Sequence, residues 1–265
     1  MKFSIVIAGP VTKWTNLLIE SARRYYPNSQ IIFSTWSDQD LSLCKKVDDV
    51  VINDETKLID YNNHQHFSSV FYSSLNGLNL ASERYSLRVR SDLRFIKSSF
   101  VEILEQKLSK TKKEEFSLFK EKIRCVDLGS LMQKSSPLYF ADICQGGLTE
   151  DLIKFFDVEL VAKNVRKFEF LMPNSKDKIN PKFDIGNEHA VPLMCIKKHL
   201  NFTFLSPSKF ADEEEKNIHD KILVNNFVLL DMQTQYGLAW DKYPSYGRGC
   251  DVKYYNRVYD HLVGQ

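Results

Sequence analysis

The run Phe3-Ser4-Ile5-Val6-Ile7-Ala8 constrains this chain more than any other feature. It is rich in β-branched residues, too short for a helix, and apolar at successive positions. Neighbouring residues of a strand point to opposite faces, so such a strand is buried on both. Sheets covered on both faces are built from parallel strands with helical crossovers.

The next hundred residues keep that rhythm. After Gly9-Pro10, residues Trp14, Leu17, Leu18 and Tyr25 fall at helical spacing, with Thr12 the expected N-cap. Pro27 ends that helix, because proline disfavours the helical conformation in the residue before it. Strands are expected at Ile31 to Thr35, at Val50 to Ile52, and from Tyr85 to Arg90. Between the last two, Phe67, Val70, Phe71, Leu75 and Leu78 mark one apolar helix face. Gly77 interrupts it at a cost of about 1 kcal/mol relative to alanine. The predicted fold is α/β, with a mostly parallel central sheet flanked by helices.

The second half is less regular. Residues 107–122 are rich in Lys and Glu and read as a solvated helix end and loop. A strand from Leu138 to Cys144 is expected to lead through Gly146-Gly147 into a short helix capped by Thr149. A helix over about 188–199, a strand at Phe202 to Leu205 and a terminal helix near 252–262 complete the reading. The main domain is placed at 1–205, with 206–265 as an extension packed on it.

The 265 residues, 43% of them apolar, are enough for one large domain. Lys plus Arg number 36 and Asp plus Glu 34, a net charge of +2, so no nucleic-acid partner is expected. No run approaches the roughly 20 apolar residues of a membrane span. The first strand is followed by Pro10 and Trp14 rather than by a small-residue cleavage site, and a cytoplasmic location is expected. Five scattered cysteines without a C-x-x-C pair read as reduced thiols.

Ligands of open parallel sheets bind beyond the carboxyl ends of the strands. Four such ends can be named: Ala8-Gly9-Pro10, Ser34-Thr35-Trp36, Asn53-Asp54 and Arg90-Ser91-Asp92. Each is small or polar straight after an apolar strand, as a nucleotide pocket requires, although loops in general are polar too. In the fourth strand Leu87 and Val89 share one face and Arg88 and Arg90 the other. Two arginines on one face of an interior strand call for acid partners or an anionic ligand. Asp92 lies just beyond, where a carboxylate can hold a divalent cation on a diphosphate or close a turn with an arginine.

Two later acids compete for the role of base. Asp142 falls inside the expected strand before Gly146-Gly147. Glu188 lies near a helix N-terminus in either of two registers: in one Asn187 caps the helix and Pro192 falls inside it, in the other the helix starts at Pro192 and Glu188 is in the loop before it. Val126-Asp127-Leu128-Gly129-Ser130 lacks the later glycine of a methyltransferase loop, and His64 and His66 face different sides of a helix. No Walker loop, dinucleotide glycine motif or nucleophile elbow is present.

In the order of these motifs the chain resembles the WavE lipopolysaccharide-synthesis family, glycosyltransferases of GT-A type. The matching residues are Ile5-Val6-Ile7-Ala8-Gly9-Pro10-Val11, Ile31 to Trp36, Asn76-Gly77-Leu78 and Leu87 to Asp92. Tyr139-Phe140-Ala141-Asp142, Gly146-Gly147, Glu150-Asp151-Leu152 and Glu188 extend the scheme. The resemblance runs through about residue 95, continues in segments to 200, and is not traced beyond 206. It implies a GT-A-like nucleotide-binding fold and transfer of a sugar from a nucleotide-sugar donor to a lipopolysaccharide or capsule glycan.

The resemblance also implies a divalent cation, Mn or Mg, on Asp92, although only the final acid of the usual D-x-D remains in Arg90-Ser91-Asp92. It favours Glu188 over Asp142 as the acceptor-side base. Gly9, Pro10, Thr35, Trp36, Asp54 and Arg90 would surround the donor. The acceptor is a glycan, free or lipid-linked, and Lys107, Lys110, Lys112 and Lys113 offer a peripheral contact with the inner membrane. The rival reading is a noncatalytic nucleotide-sugar or glycan-binding subunit of a polysaccharide assembly complex.

Overall fold

A computed structural model describes residues 1–54, 66–105, 114–126, 137–158, 187–205 and 209–242. Its centre is a seven-stranded sheet formed by β1 (Ser4–Ala8), β2 (Gln30–Trp36), β3 (Asp49–Asn53), β4 (Tyr85–Arg90), β6 (Ile123–Val126), β7 (Cys144–Leu148) and β8 (Phe227–Leu230). The order across the sheet is β3-β2-β1-β4-β7-β6-β8. The first four strands are mutually parallel, β7 runs antiparallel to both its neighbours, and β6 and β8 are again parallel. Two short strands, β5 (Arg94–Phe95) and β9 (Leu238–Ala239), pair separately.

Six helices among the described residues cover the sheet: α1 (Thr15–Tyr25), α2 (His66–Asn79), α3 (Phe100–Glu105), α4 (Thr149–Phe156), α5 (Asn187–Leu200) and α6 (Glu213–Asn226). The burial of β1 explains the layering. Ile5 and Ile7 pack into one core with Leu18, Ile19 and Ala22 of α1, while Val6 enters a second core with Phe71 and Leu78 of α2. The first core also takes in Phe100 of α3 and the segment after β8, through Tyr236, Leu238 and Trp240. The second takes in α4, α5 and α6. Because β1 lies between two apolar layers, every one of its residues is buried, as its continuous apolar run requires.

Several boundaries differ from the sequence reading. The strand expected over Leu138 to Cys144 begins only at Cys144 and runs through Gly146 and Gly147, and Asp142 sits in the turn before it. Glycine weakens a strand by its own propensity. Here tertiary packing overrides that, because the Phe100 ring fills the place a Gly146 side chain would take. Thr149 does not cap α4; its hydroxyl donates to the Glu83 carbonyl at 2.6 Å and bonds Ser86 Oγ at 2.7 Å. Thr12 is not the N-cap of α1, which follows Trp14, although the Thr12 hydroxyl accepts from the Trp14 N–H at 3.2 Å. Residues Phe202 to Leu205 form no strand; the Leu205 N–H donates to Glu215 of α6 at 2.6 Å.

α5 begins at Asn187 with Pro192 inside it, the first of the two registers. The expected terminal helix near 252–262 lies outside the described residues, as do Lys107, Lys110, Lys112 and Lys113. β8 is a full member of the central sheet, so the chain beyond residue 206 supplies part of the same architecture.

α2 presses on the sheet at Gly77. A Cβ there would meet Val6 Cγ1 at 2.5 Å and Ser34 Cβ at 3.1 Å. The glycine is therefore a contact requirement, and the helix-propensity gain expected from alanine is reversed. Gly77→Ala is predicted to lower stability by about 1–3 kcal/mol in urea unfolding; an unchanged or raised midpoint would show that α2 can lift away at little cost.

Candidate active site

The carboxyl ends of β3, β2, β1 and β4 line one edge of the sheet because these strands are parallel. The crossover through α1 packs on one face and that through α2 on the other, so the connections diverge between β1 and β4. That is the switch point at which open α/β sheets bind ligands. The two tips that flank it are knitted together. Ser91 Oγ donates to the Pro10 carbonyl at 2.7 Å, and Thr15 Oγ1 donates to the Ser91 carbonyl at 3.2 Å. Gly9 has φ +134°, a conformation that side chains rarely adopt, and a Cβ there would lie 3.0 Å from Ser91 Oγ.

Beyond β4 the chain builds an ion cluster. Arg90 Nε donates to Asp92 Oδ1 at 3.1 Å and its NH2 to Oδ2 at 3.0 Å, a two-point grip. The NH1 group lies 3.3 Å from both oxygens of Asp142. The guanidinium stacks over Trp240, 4.9 Å from the ring centroid, and the Trp240 indole N–H donates to Asp92 Oδ2 at 3.1 Å. β5–β9 pairing brings Trp240 there, and Arg94 Nε fastens the same segment to Asp241 at 2.7 Å.

Arg88, the other arginine of the strand, serves structure. It is fully buried, donates to Ser74 Oγ at 2.9 Å and Gln145 Oε1 at 3.2 Å, and also bonds the Asp142 backbone carbonyl. Burial lowers its pKa to about 10, with Asp142 the main opposing influence. Burial also works against the charge of Arg90, but Asp142 and Asp92 outweigh it and raise that pKa above the ordinary value.

The fold thus gathers Gly9, Pro10, Arg90, Asp92 and Asp142 at the switch point. Thr35 and Trp36 end β2 and are buried, Thr35 with a hydroxyl that has no hydrogen-bond partner. Asp54 follows β3 and is exposed. Glu188 lies in the first turn of α5, and its side chain is outside what the structure describes. Trp240 is the member that sequence reasoning did not join to Arg90 and Asp92, since it lies 148 positions from Asp92; from sequence it reads as core packing or a sugar-stacking ring. Its only signal was a concentration of aromatics in the last third of the chain.

A divalent cation does not fit this donor set. Both oxygens of Asp92 already accept from Arg90, and one of them from Trp240 as well. Among the described residues no three His, Cys, Asp or Glu side chains stand together as a metal group.

Removing the guanidinium would leave the Asp92 and Asp142 carboxylates without the cation they share. Arg90→Ala is predicted to cost about 3 kcal/mol at neutral pH by urea unfolding. An unchanged unfolding midpoint would contradict the ion-cluster account.

The profile of the family described as WavE lipopolysaccharide synthesis matches residues 3–244. The match carries past residue 206 and takes in β8, β9 and Trp240. No curated protein matches the chain. A match of this extent, over the whole sheet and every residue of the ion cluster, places the chain in the WavE lipopolysaccharide-synthesis family.

Proposed function

We propose that this chain is a glycosyltransferase of GT-A type that moves a sugar from a nucleotide-sugar donor to a lipopolysaccharide or capsule glycan, with inversion at the anomeric carbon. The observation that carries the reading is the meeting of the β1 and β4 tips at the switch point, with the Arg90 guanidinium at the end of β4, in a chain of a lipopolysaccharide-synthesis family. The donor would lie along the strand ends, its nucleotide toward β2 and β3 and its diphosphate toward Arg90.

In this reaction the acceptor hydroxyl oxygen bonds the anomeric carbon as the bond to the diphosphate oxygen breaks. The electron pair stays on the departing nucleoside diphosphate, and the hydroxyl proton passes to a carboxylate. Glu188, at the start of α5, is the proposed base, since Asp142 is engaged with Arg90. The rate gain would come from orienting the two substrates and stabilising the leaving charge. A lipid-linked acceptor would require only peripheral approach to the inner membrane; no helix among the described residues is long and apolar enough to cross one.

One observation favours a second reading, a noncatalytic nucleotide-sugar or glycan-binding subunit: the two site carboxylates are already satisfied by Arg90. The two readings part on a single experiment. Nucleotide sugars are incubated with lipopolysaccharide or capsule acceptors, products are identified by mass, and the new linkage is assigned by NMR. Transfer is expected, with anomeric inversion, and Glu188→Gln should lower turnover about 10²-fold or more with donor affinity unchanged. Loss of donor binding alone would remove Glu188 as base, and neither transfer nor donor hydrolysis above background would leave only the binding protein.

A further inference from the structure

We propose that Arg90 is itself the cation of this site, and that its guanidinium, in place of a divalent metal, meets the donor's diphosphate. The inference rests on the glycosyltransferase reading above and specifies how that site handles phosphate charge.

Exposure decides which group a ligand meets first. The Arg90 side chain is 30% exposed, against 9% for Asp92 and 10% for Asp142. A ligand entering at the switch point therefore touches the guanidinium, and the carboxylates lie behind it. Their role is to hold that guanidinium still. The two-point grip of Asp92, the Asp142 contacts and the Trp240 face fix its plane from three sides.

The donor count leaves room for a ligand. A guanidinium offers five N–H groups. Asp92 takes one from Nε and one from NH2, and Asp142 is met by NH1 alone. The remaining NH2 hydrogen is used by none of these bonds and can be given to a phosphate oxygen. A divalent ion would need the same Asp92 oxygens and would stand beside a fixed positive charge, which repels it.

Net charge agrees. Two arginines and two aspartates make up the cluster, because the buried Arg88 backs Asp142 through its backbone carbonyl. Their formal charges cancel, so the diphosphate is not opposed by a negative pocket. In the transfer step, the electron pair released by the breaking anomeric bond settles on the diphosphate beside Arg90. A preorganised guanidinium stabilises that charge without reorganising.

The test compares UDP, GDP, CDP and ADP binding to the full chain by calorimetry, in EDTA and in Mn²⁺, for wild type, Arg90→Gln and Arg90→Lys. Turnover of the matching nucleotide sugar is measured under the same two conditions. One nucleoside diphosphate should bind in EDTA within about twofold of its affinity in Mn²⁺. Arg90→Gln should weaken it at least tenfold, Mn²⁺ should not restore the loss, and Arg90→Lys should recover part of it. Turnover should persist in EDTA. A loss of tenfold or more on removing metal from the wild-type protein would overturn the inference and leave the transferase standing. Arg90→Gln binding as wild type would do the same. No binding and no turnover under either condition would remove both readings. The wild-type comparison needs no variant, so it decides the question even where Arg90→Gln does not fold.

Discussion

A guanidinium withdrawn from water needs partners that replace water's hydrogen bonds and oppose its charge. For Arg90 those partners come from three stretches of chain: Asp92 just past β4, Asp142 in the turn before β7, and Trp240 after β9. The cluster therefore does more than decorate a strand end. It ties the parallel half of the sheet to the antiparallel β7 and to the segment that returns from β8.

The same dependence draws residues 209–242 into the architecture of the sheet. β8 extends the sheet beside β6, Tyr236 stacks on Phe100 with ring centroids 6.0 Å apart, and Trp240 closes over Arg90. The Tyr236 hydroxyl also bonds the Arg124 carbonyl of β6. These contacts give that segment a structural task and place it at the site in the same stroke. The family profile, which extends to residue 244, spans it as well.

The places where local reasoning failed share a physical cause. β7 carries two glycines and a glutamine, a poor strand by propensity, and holds because Phe100 and Leu87 press on Gly146 from outside. α6 escaped notice because its buried side is not a clean stripe. Ile222, Leu223 and Val224 are consecutive, and Glu215, His219, Asn225 and Asn226 are buried beside them. The polar members have tasks that only the fold creates: Glu215 accepts from the Leu205 and Ala211 N–H groups, and Asn226 bridges Phe116, Leu118 and Ile222. A side chain buried for a distant partner leaves no period in the sequence.

By itself the sequence determined the parallel half of the sheet, from the doubly apolar β1 to the polar tips after β2, β3 and β4. Those features are local: alternating faces, helical spacing and short connections are set by residues within one or two elements of each other. It also placed Gly9, Arg90 and Asp92 at the strand ends where a ligand would sit. Only the tertiary structure decided which charges neighbour Arg90, since Asp142 is 52 residues from it and Trp240 is 148 from Asp92. Electrostatic partnership depends on distance in space, and no spacing along the chain encodes which groups the folded core will bring within 4 Å.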